Sequence, residues 1–280
     1  MSRVYGVLRW VRVLLFFYVL VLVLVAVFQR RLIYFPSRAS EAEVIAHAAT
    51  ASLEPWRDSE GALIGFLRRE RTAPREDDVE RPSPVLVLHG NAGFAAHRSY
   101  LAQLFPDRSV YILEYPGFGA RPGRPGEPAI RSAAEAALRE LVASYGPVLI
   151  LGESIGGGPA SWLAGRYPDN VSALVLITPF TTLADVARSQ FPVFPVRLLL
   201  RDRWENERHL AAYPGPLAVL VAEADRVVPA RLGWRLHEGF SGRKQLWSFP
   251  GSDHNTIIRD LSGATWREIL RFLHVERDGT

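Results

Sequence analysis

Apolar residues fall along this chain in two kinds of run, one long and the others short. Residues 13–28, VLLFFYVLVLVLVAVF, carry no charge, and extension back to Val4 adds only Arg9 and Arg12. At about 1.5 Å per residue the uncharged stretch spans roughly 24 Å, short of a ~30 Å hydrocarbon core, and the extended one spans it comfortably. Arginine side chains at such positions snorkel towards headgroups. A transmembrane helix is predicted. A cleaved secretory signal would need a small-x-small site close behind a shorter apolar region. The nearest triplet of that kind, Ser37-Arg38-Ala39, lies beyond two arginines and Pro36, so the segment is expected to stay attached as an anchor over residues 1–31. Arg3, Arg9 and Arg12 on one side balance Arg30, Arg31 and Arg38 on the other. The extra amino terminus tips the amino-terminal side inward and the remaining chain to the extracytoplasmic side.

The short runs begin after a predicted helix at 41–47, an alternating strand at 62–69 behind the Ser59-Glu60-Gly61 turn, and a charged, proline-containing loop at 71–84. Residues 85–88, 110–113, 148–151, 174–177, 217–221 and 246–249 are continuous rather than alternating, as strands buried on both faces are. Between several of them lie segments with apolar spacing near 3.6, such as 130–145 and 231–240. Strand and helix in alternation specify a mostly parallel central sheet with helices on both faces, an α/β architecture. One catalytic domain over 32–280 follows, with a small insertion at about 181–214.

Composition changes this picture little. The 280 residues are 48% hydrophobic and 22% charged, which suits a chain with a real core. A net charge of +4 and a pI near 9.6 raise nucleic acid as a partner. The basic residues are scattered, however, and all but Lys244 are arginines, which points to coding bias and to no nucleic-acid partner. The lack of cysteine removes disulfides, thiolate metal ligands and a cysteine nucleophile together.

Reactive groups in open parallel sheets collect past the carboxyl ends of the strands. Gly152-Glu153-Ser154-Ile155-Gly156 follows the run at 148–151 directly and opens a potential helix at 157–166. That is the strand-turn-helix setting of a G-x-S-x-G nucleophile elbow, with Ser154 as the nucleophile. A serine hydroxyl needs a base, and the histidines after it are His209, His237, His254 and His274. His209 falls in the insertion, and His237 and His274 fall inside amphipathic helices, where packing is the plainer role. His254 sits in a polar loop just past a strand. The acid that orients it cannot be its neighbour Asp253. Asp225, after the run at 217–221, is the candidate; it has an N-capping role as its plainer alternative and Glu223 as its substitute. Backbone N–H groups of Ile155 and of Asn91, in His89-Gly90-Asn91-Ala92-Gly93, are the candidate oxyanion donors. His89 is expected to be structural, and Tyr115 to Gly119 to form a neighbouring rim loop.

Taken in order, the anchor, FQRRLIYFP at 28–36, HGNAG at 89–93, YPGFG at 115–119, GESIGGG at 152–158, DRVVP at 225–229 and DHN at 253–255 resemble the α/β-hydrolase superfamily. The likeness is to its membrane-anchored bud-emergence-type branch, to which protein depalmitoylases of this fold are related. It covers nearly the whole chain. It implies hydrolysis of carboxylic esters or acyl-thioesters through an acyl-enzyme, with no metal and no cofactor, on a small-molecule or lipid substrate or an acylated protein. A peptidase on the same triad and a non-catalytic membrane scaffold are the competing readings. In the insertion, apolar residues 191–200, broken by Pro192 and Pro195, could line an acyl-chain groove. The plainer expectation packs them as a short helix on the core.

Overall fold

The computed structural model describes residues 2–70 and 82–274; most of the loop expected at 71–84 lies outside the described residues. Its strands are β1 (Phe35–Pro36), β2 (Glu54–Arg57), β3 (Leu63–Arg68), β4 (Val85–Leu88), β5 (Ala92–Gly93), β6 (Val110–Leu113), β7 (Val148–Glu153), β8 (Val171–Ile177), β9 (Leu217–Ala222) and β10 (Lys244–Phe249). Its α-helices are α1 (Ser2–Ile33), α2 (Glu41–Thr50), α3 (Ser99–Ala102), α4 (Glu127–Tyr145), α5 (Gly157–Arg166), α6 (Leu183–Gln190), α7 (Val196–Leu199), α8 (Asn206–Leu210), α9 (Ala230–Gly239), α10 (Ile257–Asp260) and α11 (Gly263–His274).

Eight strands form the main sheet in the order β10-β9-β8-β7-β4-β6-β3-β2. Pairing is parallel from β10 through β6 and antiparallel where β3 joins β6 and β2 joins β3. Because side chains alternate across a strand, each run feeds two cores at once. Leu86 and Leu88 of β4 enter one layer with α4 and α5, while Val85 and Val87 enter the opposite layer with α11. Burial on both faces accounts for the continuous apolar runs. Outside this frame, β1 pairs in parallel with β5, tying the chain just after α1 to the loop after β4.

Local sequence sets the helix ends. Ser40 accepts the Glu43 amide while Glu43 accepts the Ser40 amide, a capping box that starts α2. Pro128 stands in the first turn of α4, where its missing N–H costs no helical bond. The described helix α1 is apolar around its whole circumference, and Tyr5–Ile33 is long and apolar enough to cross a membrane. The insertion is broken into α6, α7 and α8. Its apolar stretch packs on the core only in part: Val196 is buried and Leu200 packs against the core, but Phe191, Val193 and Leu198 are exposed.

Candidate active site

Strand β7 ends at the middle of the sheet, and the chain reverses there into α5 through a single 3₁₀ turn at Ser154–Gly156. Ser154 takes φ 53°, a left-handed conformation that a non-glycine residue holds only at a cost of order 1–3 kcal/mol. The flanking glycines make that turn sterically possible. A Cβ at Gly156 would stand 2.0 Å from the Leu88 carbonyl oxygen, and one at Gly152 would stand 2.8 Å from both Ala160 Cβ and the Gly156 oxygen. Gly156 therefore lies against the end of β4, where the loop that begins at His89 starts.

Two strands away, Asp225 follows β9 and His254 follows β10. Asp225 Oδ2 meets His254 Nδ1 at 2.6 Å. Its other oxygen, Oδ1, accepts the amides of Val227 at 2.7 Å and Val228 at 2.8 Å. One carboxylate therefore shapes its own loop and meets the histidine; it does not cap α9, whose N-cap residue is Pro229 with no side-chain cap. The Asp225 side chain is 1% exposed and the His254 ring 14%. Glu223, the substitute acid, is bonded to Ser248 Oγ at 2.7 Å instead. Asp253 accepts the amides of Asn255 and Thr256 and so closes the loop that carries His254.

The loop after β4 is held from three directions. Asn91 Nδ2 donates to the Ile33 carbonyl at 3.0 Å, and the Asn91 carbonyl accepts the Phe35 amide at 2.8 Å. His89 is fully buried and stacked on Tyr115 at 4.1 Å, and its carbonyl accepts the Tyr115 hydroxyl at 3.0 Å. The rim loop therefore supports this loop directly. The third hold is Glu153, the residue inside the elbow. Its Oε2 accepts Arg98 Nε at 2.7 Å and the Gly90 amide at 3.1 Å, and its Oε1 accepts the Tyr100 hydroxyl at 2.7 Å. Burial on its own would raise this carboxyl; the Arg98 charge and the hydrogen bonds from Tyr100, Arg98 and the Gly90 amide more than reverse that and lower it. Burial and the Glu153 charge together raise the Tyr100 phenol. The signal for this network was present as an acid next to the nucleophile, but its partners lie far away in sequence.

His209 and His237 keep to packing roles, and the His274 side chain lies outside the described residues. His209 Nε2 stands 2.8 Å from Arg131 Nη2, and burial followed by the Arg131 charge lowers its pKa to about 4. Burial, then Lys244, lowers His237. Among the described residues no group of three or more His, Asp or Glu side chains is arranged to hold a metal ion. A groove of about 580 Å³ whose lining does not include Ser154 lies between α4, α5, α8 and the end of α1.

Residues 83–198 match a family model described as the alpha/beta hydrolase fold. The chain is 34% identical to Rv2307c, an uncharacterized protein of Mycobacterium tuberculosis, over 81% of this chain and 80% of that one. It is 30% identical to the protein bem46 of Schizosaccharomyces pombe, over 64% of each. Among solved structures it resembles Est1E from Butyrivibrio proteoclasticus, with ferulic acid bound, at a TM-score of 0.61 and 15% identity, over 77% of this chain and 98% of that one.

Proposed function

The chain belongs to the alpha/beta hydrolase fold family, in the branch that includes bem46, and from that membership we propose that it is a membrane-anchored serine hydrolase of carboxylic esters or acyl-thioesters. Ser154 is the nucleophile, His254 the base and Asp225 the acid. The observation that carries this reading is the pairing of His254 Nδ1 with Asp225 Oδ2 at 2.6 Å, on the same edge of the sheet as a serine held at φ 53°.

With Nδ1 committed to Asp225, Nε2 is the nitrogen that takes the Ser154 proton as the oxygen attacks the acyl carbon. Asp225 stabilises the imidazolium that results. Charge then develops on the former carbonyl oxygen, and the amides of Ile155 and Asn91 receive it. Collapse expels the alcohol or thiol, which takes its proton from His254, and leaves Ser154 acylated. Water activated by the same histidine releases the acid. Both amide donors are backbone groups, so their position depends on Gly156 against β4 and on the contacts of Glu153 and Asn91. The domain division belongs to this proposal: residues 1–31, most of α1, are the anchor and residues 32–280 the hydrolase.

Initial rates of the detergent-solubilised full-length protein on p-nitrophenyl esters and acyl-thioesters of graded chain length test the assignment. Ser154→Ala is expected to lower turnover by a factor on the order of 10⁶, the loss known for removal of such a nucleophile in subtilisin. Turnover at the wild-type rate in Ser154→Ala would overturn it.

A further inference from the structure

Residues 191–200 are apolar apart from Arg197, and three of their large side chains are out of place on a water-facing surface. Phe191 is 57% exposed, Val193 72% and Leu198 86%. These side chains do not pack on the core, but the backbone that carries them runs alongside α1. Tyr18 donates its hydroxyl to the Val193 carbonyl at 2.9 Å, and its ring stacks on Phe194 at 6.3 Å. Further along the helix Gln29 Nε2 donates to the Leu199 carbonyl at 3.0 Å, and Gln29 Oε1 accepts the Arg201 amide at 2.7 Å. From Tyr18 to Gln29 the helix rises about 16 Å, close to half of a ~30 Å hydrocarbon core.

We propose that residues 191–200 are a second membrane-inserted element, seated beside α1 in the acyl chains of the leaflet from which α1 emerges. The proposal rests on α1 being a membrane anchor. Three further observations support it. First, six of the segment's eight backbone N–H groups are paired with nearby carbonyls, which lowers the cost of entering hydrocarbon. Pro192 and Pro195 have no N–H to satisfy, and the amides of Phe191, Phe194, Val196, Leu198, Leu199 and Leu200 donate to carbonyls between Ala187 and Val196. Second, the one charge in the segment, Arg197, is paired with Asp185 at 3.2 Å. Third, the two chain segments change character at the same depth. The Arg201 amide is bonded at the level of Gln29, and α1 itself becomes basic at Arg30 and Arg31, as side chains reaching headgroups do.

The insertion is also tied to the candidate site. Gln190 Nε2 donates to the carbonyls of Arg226 at 2.7 Å and Val227 at 3.0 Å, and the Val227 amide holds Asp225 Oδ1. Seating residues 191–200 in the leaflet therefore draws the acid loop down towards the membrane surface. The substrate class this favours is an acyl group lodged in the bilayer, with its ester or thioester at headgroup depth.

The chain has no cysteine, so single cysteines can be introduced without background. Full-length Leu198→Cys, Leu14→Cys and Arg267→Cys proteins, labelled with an environment-sensitive fluorophore, are reconstituted into phosphatidylcholine vesicles with or without brominated acyl chains. Leu14 lies in α1, and Arg267 is exposed on α11 over the opposite face of the sheet. Quenching of the Leu198 and Leu14 probes severalfold beyond the Arg267 probe is expected. Quenching at Leu14 with none at Leu198 overturns the insertion and leaves the anchor standing. An absence of quenching at Leu14 overturns the anchor, and the insertion with it.

Discussion

The tetrapeptide Val-Leu-Val-Leu occurs at 85–88 and again, repeated in overlap, within 19–24, and the two regions have opposite fates. At 85–88 it is β4, where all four side chains are 0% exposed between two layers of helices. At 21–24 it is one turn of α1, where Val21 is 41% and Leu24 47% exposed. The difference lies in the flanks. The first copy is bounded by Pro84 and by His89-Gly90, which limit it to strand length, whereas the second sits inside an uncharged run that only a long helix can use. Apolar character specifies burial; the neighbouring residues decide whether protein or lipid supplies it.

The largest expected effect tests that contrast directly. Leu86→Ala in β4 removes packed volume and is expected to lower unfolding free energy by about 2–5 kcal/mol, whereas Leu24→Ala in α1 is expected to leave it within about 0.5 kcal/mol. Denaturant titration of the detergent-solubilised proteins separates the two, and equal losses would break the comparison.

A smaller effect is expected at Glu153, which belongs to the buried side of the contrast although it is charged. Glu153→Gln leaves Arg98 without its ion partner and weakens the hold on the Gly90 amide. A charge-assisted contact of this kind contributes about 1.5–3 kcal/mol, so kcat/KM is expected to fall roughly tenfold to a hundredfold, mainly in kcat if the loop positions the oxyanion donors. The lowered pKa fixes the pH window. The contribution is complete above the ordinary glutamate value of 4.5 and is lost as pH falls through the still lower folded-state value. The ratio of wild type to variant should therefore stay flat from pH 8 down to about 5. A ratio that closes near neutrality would contradict the assignment.

The smallest effect is expected at His209, between the two regions. Its pKa falls from 6.5 to about 4 in the folded protein, so its neutral form stabilises the fold fully above 6.5. That contribution fades as pH falls towards the folded value. His209→Gln is expected to reduce the drop in Tm between pH 7 and pH 5. A drop identical to that of the wild type would place its origin elsewhere.

These contrasts also explain what could be read from the chain before folding. Strands β4, β6, β7, β8 and β9 were legible because burial on two faces forces continuous apolar runs, and the edge strand β10 through its apolar Leu246, Trp247 and Phe249 although only Trp247 is buried. The candidates Ser154, Asp225 and His254 stand out because each lies shortly past a strand. The edge strand β2, Glu54–Arg57, was not legible, because only Trp56 of its residues is buried. Glu153 was visible as a residue but not as a clamp, since Arg98 and Tyr100 reach it only across the fold. Residues 191–200 misled for a related reason. Their apolar character implied a partner within the core, which Val196 and Leu200 find, whereas the exposed remainder runs beside α1.

The central claim is that Ser154 is an activated nucleophile. Its most direct test is treatment of the full-length protein in detergent with a fluorophosphonate, followed by mass spectrometry of the adduct. The account predicts a single phosphonylated peptide modified at Ser154, with labelling lost in Ser154→Ala and strongly slowed in His254→Ala. Undiminished labelling of Ser154→Ala, or an adduct at another serine, would contradict it.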